Sequence, residues 1–254
     1  MTHILRPARF GGAARAPESL EDLIANNWDY DPTHPNAQDF DVLAIMGDTG
    51  KRQVLRIDTA TKTVINEISP GVWGGSSYGT IDGQPYGILC NSATDYVHVN
   101  FHPSQYSRFN DNKAARICGQ IYVGSTIPAA TIGILRHRRG GLKTSWNKKW
   151  ESADTSADLS NGLTMQQGMQ LITAYWDGTG IVRGYDGAAG SQRYLGFAHG
   201  ESWTDGEVSY MRALWDNLGG GSHIVYWMGA QGNRSSNASY ANYDYTKLPL
   251  KLRA

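Results

Sequence analysis

Three tryptophans, Trp146, Trp150 and Trp203, stand in polar, loop-like stretches, the last of them beside His199 and Glu201. An aromatic face can stack on the polarised C–H face of a pyranose ring while neighbouring side chains bond the sugar hydroxyls, so these five residues are the candidate ligand-binding set, with a glycan as ligand. Each tryptophan taken singly also suits a core position, and Trp215, within a periodic apolar run, reads as core. Catalysis asks for paired groups at workable spacing. The chain has no G-x-S-x-G turn, no H-E-x-x-H helix and no phosphate-cradling glycine loop, so no catalytic residue is assigned. His98, Asn100 and His102 share one face of an alternating stretch, but no third metal ligand accompanies the histidines and a solvated strand face explains them. Asp29 and Asp31 lack the glycine and closing glutamate of an EF-hand loop. No cofactor is required; calcium is compatible with the chain, though no ligand set marks a site.

The elements that must position these residues are read from periodicity and turn chemistry. Leu171 to Trp176 and Ile181 to Tyr185 are rich in residues that suit a pleated surface, and Asp177-Gly178-Thr179-Gly180 joins them as a hairpin. Asp186-Gly187 turns the chain again, and Tyr194 to Phe197 forms the next strand. Thr204 and Glu207 match a capping box, Val208, Met211, Leu214, Trp215 and Leu218 recur at helical spacing, and Gly219 to Gly221 closes the run, predicting a short helix near residues 205–218. Upstream, Ser19 caps a short helix with Leu20, Leu23 and Ile24 on one face. Val42 to Met46, Gln53 to Asp58 and Thr63 to Ile68 read as strands, either of a small separate unit or at the outside of the main sheet system. No second copy follows at a spacing that a propeller would need.

Trp176-Asp-Gly-Thr179, Tyr185-Asp-Gly187, Leu195-Gly196 and Thr204-Asp-Gly-Glu-Val208 together resemble the C-terminal half of laminin-G-like, concanavalin A-like lectin domains, and Asn91 to Val99 is similar to that family's opening strand. The resemblance covers roughly residues 85–220. It implies an all-β fold, a concanavalin-like antiparallel β-sandwich (jelly roll), and says little about function; in some relatives ligands bind at the edge loop where Trp203 falls. Concanavalin-like glycoside hydrolases carry an E-x-D-x-E strand that is absent here, and Asp205-Gly-Glu207 is better explained as helix capping. Jelly-roll polysaccharide lyases use a Q-I-H strand; Gln120-Ile121-Tyr122 imitates it without the histidine.

The totals narrow the partners. Lys plus Arg equals Asp plus Glu at 23 each, so no basic footprint for nucleic acid or an anionic membrane exists. Cys90 and Cys118 lie far apart and read as buried thiols on strands, with a single bridge between them left open. Arg136-His-Arg-Arg139 is a basic cluster that suits a solvated loop, an acidic glycan or a neighbouring subunit. No signal-peptide core and no membrane-length apolar run occur, which predicts synthesis in the cytosol. The expected organisation is an N-terminal arm and small β extension at 1–70, a laminin-G-like sandwich at 71–228 and a polar tail at 229–254 that packs on another surface or stays mobile. The expected role is a non-enzymatic structural or adhesive component of a phage-like virion or appendage, at the particle surface, partnered by other particle subunits or further copies and by cell-surface polysaccharide. A carbohydrate-active enzyme on the same fold is the alternative.

Overall fold

A computed structural model of the chain describes residues 15–58, 61–68, 76–91, 97–101, 115–125, 132–137, 140–144, 149–152, 157–176, 181–199, 209–216, 222–232 and 243–254. One α-helix, α1 (Leu20–Ala25), precedes β1 (Trp28–Tyr30), β2 (Val42–Ile45), β3 (Gln53–Asp58), β4 (Thr63–Ile68), β5 (Ser77–Gly79) and β6 (Gly87–Cys90). Then follow β7 (Val97–Phe101), β8 (Ala115–Val123), β9 (Ile132–His137), β10 (Gly140–Thr144), β11 (Trp150–Ser152) and β12 (Gly168–Trp176). The last strands are β13 (Ile181–Asp186), β14 (Arg193–His199), β15 (Ser209–Asp216), β16 (His223–Gly232) and β17 (Leu250–Leu252). Among the described residues no helix is long and apolar enough to cross a membrane.

The strands form a jelly-roll β-sandwich of two antiparallel sheets. A five-stranded sheet in the order β11-β10-β9-β15-β7 lies against a ten-stranded sheet in the order β14-β13-β12-β8-β16-β2-β3-β4, with β6 also on β16 and β5 on β6. β11 approaches β14, β10 approaches β12 and β13, and β15 approaches β16, so the two layers run in matching order. On one edge of β16 lies β8; its other edge is shared, with β6 on Val225 and the residues before it and β2 on Trp227 and those after it. The strands from Val42 to Ile68 therefore extend the main sheet, the second of the two arrangements compatible with the sequence.

Two cores result. Val42, Ala44, Val99, Ile117, Ile121, Ile172, Leu195, Val225 and Met228 pack between the sheets. Leu43, Ile45, Cys118, Ile224, Tyr226 and Trp227 face the other way and are covered by Leu23 and Ile24 of α1, Trp28, Phe40, Tyr243, Leu248 and Leu250. Strict alternation would send Tyr226 and Trp227 to opposite faces. The register shift between Val225 and Trp227 places both on the outer side, where a bulge admits two large rings in succession. The C-terminal segment is thus part of the fold, with β17 pairing β1.

Gln53 joins that outer layer to the sheet. Its fully buried amide accepts from Trp28 N–H at 2.7 Å and donates to Trp28 C=O at 3.0 Å, as a neighbouring strand would. Trp28 is itself buried, with Nε1 donating to Leu23 O at 2.7 Å.

Two sequence expectations are corrected or refined here. The predicted helix near residues 205–218 is strand β15, hydrogen-bonded between β7 and β9. Met211, Ala213 and Trp215 also fit period two, and a short apolar run cannot choose between periods by itself; two waiting sheet edges decide it. Thr204 and Glu207, its expected cap, lie outside the described residues, as does the 177–180 turn. Cys90 and Cys118 are both buried, and no disulfide joins them. Cys90 belongs to the core between the sheets and Cys118 to the outer one, so their side chains leave the sheet on opposite faces. The capped helix at Ser19 stands as expected, its hydroxyl accepting from Asp22 N–H at 3.1 Å.

Replacing Gln53 by Leu keeps the volume but leaves Trp28 N–H without its acceptor. The expected loss is about 1–3 kcal/mol of unfolding free energy, read as a lower urea midpoint; an unchanged midpoint would show that the outer layer does not depend on this bond.

Candidate functional site

Beyond the outer core, the ten-stranded sheet continues as a wing of β12, β13 and β14. Ile172, Ala174 and Leu195 point into the space between the sheets, so the alternate positions Thr173 and Tyr175 lie on the outer face. Register carries that face across the wing: Tyr175 pairs Arg183 and Thr173 pairs Tyr185, while Arg183 pairs Phe197, Tyr185 pairs Tyr194 and Ile181 pairs His199. Two rows result. One runs Phe197, Arg183, Tyr175, Arg116, Gln231; the other runs Tyr194, Tyr185, Thr173, Cys118, Gly229.

Tyr194 and Phe197 are exposed at 39% and 45%, which is unusual for large apolar side chains and makes them the open part of the face. The Tyr185 and Tyr194 rings lie 5.2 Å apart at a tilt of 43°. Burial raises the Tyr185 phenol above the usual tyrosine range, Tyr194 adds to the shift and Arg183 opposes it. The phenol therefore stays protonated at neutral pH and can donate. Among the outward positions that register defines on these three strands, from Thr173 to His199, none is Asp or Glu.

Tyr194 and Phe197 are three residues apart and share a face only because of a bulge. The pairing of β13 with β14 passes from Gly184–Gly196 to Tyr185–Tyr194, so Leu195 is the extra residue and turns into the core. Gly196 adopts φ of 106°, and a Cβ there would lie 2.6 Å from Ser160 Oγ and 2.8 Å from Ser160 N. The free edge of β14 is covered by that same segment. Ser160 N–H donates to Phe197 O at 3.0 Å, Phe197 N–H to Ser160 Oγ at 3.1 Å, and Asn161 Nδ2 to Tyr194 O at 3.1 Å. Behind the face, the fully buried Asp186 takes a two-point ion pair from Arg193, at 2.6 Å from Nε and 3.0 Å from Nη2. The aromatic pair thus stands on a braced strand pair.

Next to the wing, Arg116 is almost wholly buried, its guanidinium 5.0 Å from the Tyr243 ring and 5.8 Å from that of Phe40. It donates to Asp39 O at 3.0 Å and Gln231 Oε1 at 2.9 Å, and Tyr243 hydrogen-bonds the Asp39 carboxylate. Burial pushes the adjoining Cys118 thiol up to about 11, which makes it unreactive at neutral pH. This cluster fastens the C-terminal segment to the sheet and marks where the described cover of the outer face stops.

The sequence-predicted residues are dispersed. His199 ends β14 at the rim of the aromatic rows, by its pairing with Ile181. Trp150 begins β11, on the other sheet, paired with Thr144. Trp146, Glu201 and Trp203 lie outside the described residues. His98 is on β7 opposite Arg212, and His102 is outside. Asp29 accepts from Arg253 at 2.9 Å and Asp31 from Thr33 N–H at 2.9 Å. Among the described residues no group of three or more His, Cys, Asp or Glu is placed to hold a metal ion. Sequence reasoning passed over Arg183, Tyr185, Tyr194 and Phe197. The alternation of Ile181, Arg183 and Tyr185 was there to be read as one face, but the bulge hid that Tyr194 and Phe197 join it.

No protein-family model matches the chain, and no curated protein matches it. Solved structures do match. Trypanosoma rangeli sialidase is 12% identical with a TM-score of 0.47 over 90% of this chain, and the chain spans only 36% of the sialidase. The receptor binding domain of botulinum neurotoxin C/D mosaic serotype is 12% identical with a TM-score of 0.45, over 80% of this chain and 50% of that one. A family 7 alginate lyase, A1-II′, is 10% identical with a TM-score of 0.38, over 82% of this chain and 99% of the lyase. Enzymes and binding domains alike are among these neighbours. At such identities they speak to architecture alone.

Gly196→Ala tests the bulge. A side chain at this φ and at that distance from Ser160 is expected to cost about 1–3 kcal/mol and to lower the thermal midpoint. Full stability in this variant would mean that β14 pairs without the extra residue.

Proposed function

We propose that the chain is a non-enzymatic carbohydrate-binding β-sandwich whose outer β12–β14 face holds a polysaccharide segment. The observation that carries this reading is the open pair Tyr194 and Phe197, laid beside Tyr185 on a braced sheet face. Apolar rings exposed in this way lose little on meeting a sugar, because the C–H face of a pyranose needs no desolvated polar partner. The Tyr185 hydroxyl and the Arg183 guanidinium supply donors in the same rows. With one arginine and no carboxylate at the outward positions of the wing, the face favours an acidic polysaccharide over a neutral one. His199, at the rim, would strengthen that preference when protonated.

A second reading is kept by one observation. Arg183 lies between Tyr185, two residues along β13, and the position of His199, which pairs the neighbouring Ile181, and such groups could neutralise a uronate and move a proton in a β-elimination. Burial keeps the Tyr185 phenol protonated at neutral pH, a hydrogen-bond donor and not a base, which favours holding over turnover.

Affinity electrophoresis in gels containing alginate, polygalacturonate or xylan, with the same mixtures assayed for new reducing ends and unsaturated uronates, separates the readings. Retention by an acidic polymer without product is expected. The Tyr194→Ala/Phe197→Ala double variant should keep its fold, since both side chains are exposed, and lose about tenfold or more in affinity. Product formation would establish the enzyme; retention untouched by the double variant would remove this face as the site.

A further inference from the structure

A second pair of tyrosines lies away from the wing. Tyr78 on β5 and Tyr86, immediately before β6, have ring centroids 5.4 Å apart at a tilt of 35°. Tyr86 is 52% exposed and Tyr78 is half-buried. Asp48 stands beside them in the exposed turn that follows β2. Its carboxylate accepts from Thr49 N–H at 2.6 Å and lies near enough to Tyr78 to raise that phenol, after burial, which is the larger cause. The Arg52 guanidinium is close to the same carboxylate and donates to Gly47 O at 3.3 Å.

The loop that presents Tyr86 is held at several points. Thr80 Oγ1 donates to Gln84 O, Gln84 N–H to Ile81 O at 3.0 Å, and the Tyr226 hydroxyl, from the bulge of β16, to Pro85 O at 3.1 Å. The turn bearing Asp48 is equally constrained: Lys51 and Arg52 N–H both bond Asp48 O, at 2.7 and 3.0 Å. A Cβ on Gly47 would meet Ile24 O at 2.6 Å, so the turn is pressed onto α1. Two aromatic faces, one acceptor and one donor are therefore fixed in place before any ligand arrives, which lowers the ordering cost of binding.

We infer that Tyr78, Tyr86 and Asp48 form a second carbohydrate platform, one for an uncharged sugar. The rings take the C–H face of a pyranose, and the carboxylate accepts from its hydroxyls. With Asp48 and Arg52 side by side the platform carries no net charge, so it neither selects a uronate or sialate nor draws a cation. The platform thus differs in charge from the Arg183-bearing wing. It rests on the reading of the chain as a glycan binder, but on none of the same residues.

Isothermal titration of the full chain with xylohexaose, cellohexaose and mannohexaose tests it. At least one should bind, and Tyr86→Ala and Asp48→Asn should each weaken binding about tenfold or more. Tyr194→Ala/Phe197→Ala should leave that affinity within about twofold. Circular dichroism checks the fold of each variant, and Tyr86→Phe, which keeps the ring, should retain most of the affinity. If no hexaose binds, or if Tyr86→Ala binds as well as the parent chain, the second platform is wrong. Retention by acidic polymers would in that case leave the wing standing, whereas loss of both would overturn the glycan-binding reading as a whole.

Discussion

Every residue of β16, from His223 to Gly232, is buried, and a strand with no solvent face needs apolar cover on both sides. One cover is the five-stranded sheet, which meets Val225, Met228 and Ala230. The other cannot be a sheet of the same sandwich, and it is assembled from the two ends of the described chain. α1, Trp28 and Phe40 come from the N-terminal side, Tyr243, Leu248 and Leu250 from the C-terminal side, and β1 with β17 ties them together. Polar groups in that layer have to be satisfied where water is excluded, which is the part played by Gln53 on Trp28 and by Gln231 and Asp39 around Arg116.

The same constraint decides where the sheet is open. The described cover reaches β3, β2, β16 and β8 and stops at Arg116 and Tyr243. The sheet does not stop there. β12, β13 and β14 continue past it: Thr173 and Tyr175 on β12 are still buried, Arg183 and Tyr185 on β13 are half-buried, and the rows open at Tyr194 and Phe197 on β14. A face made in this way is held by paired strands, and its chemistry lies in side chains that alternate outward from them. That suits an extended polymer lying across several strands better than a small molecule, which needs a concave site to bury most of its surface.

Local signals made much of the scaffold legible. The strands at Val42, Gln53 and Thr63, the capped turn at Ser19 and the paired strands at Leu171 and Ile181 were readable because β-branched alternation, a capping hydroxyl and Asp-Gly turns act over a few residues. Two things were not. Ser209 to Asp216 fits a helix as well as a strand, and only β7 and β9, distant in sequence, decide between them. Bulges are invisible to periodicity because they break it. The one near Tyr226 lets two aromatic residues share the outer core, and the one at Leu195 lets Tyr194 and Phe197 share the open face. Tryptophan in a polar stretch is a plainer local sign of sugar stacking than a tyrosine on a strand, whose exposure depends on register.

Hydrogen–deuterium exchange of the intact chain, with and without a bound acidic polysaccharide, tests the central claim most directly. Slowed exchange confined to peptides spanning Ile181–Asp186 and Arg193–His199 is what the account requires. Slowing confined to 145–152 and 200–208, with those two strands unchanged, would contradict it and return the site to the tryptophan-bearing segments.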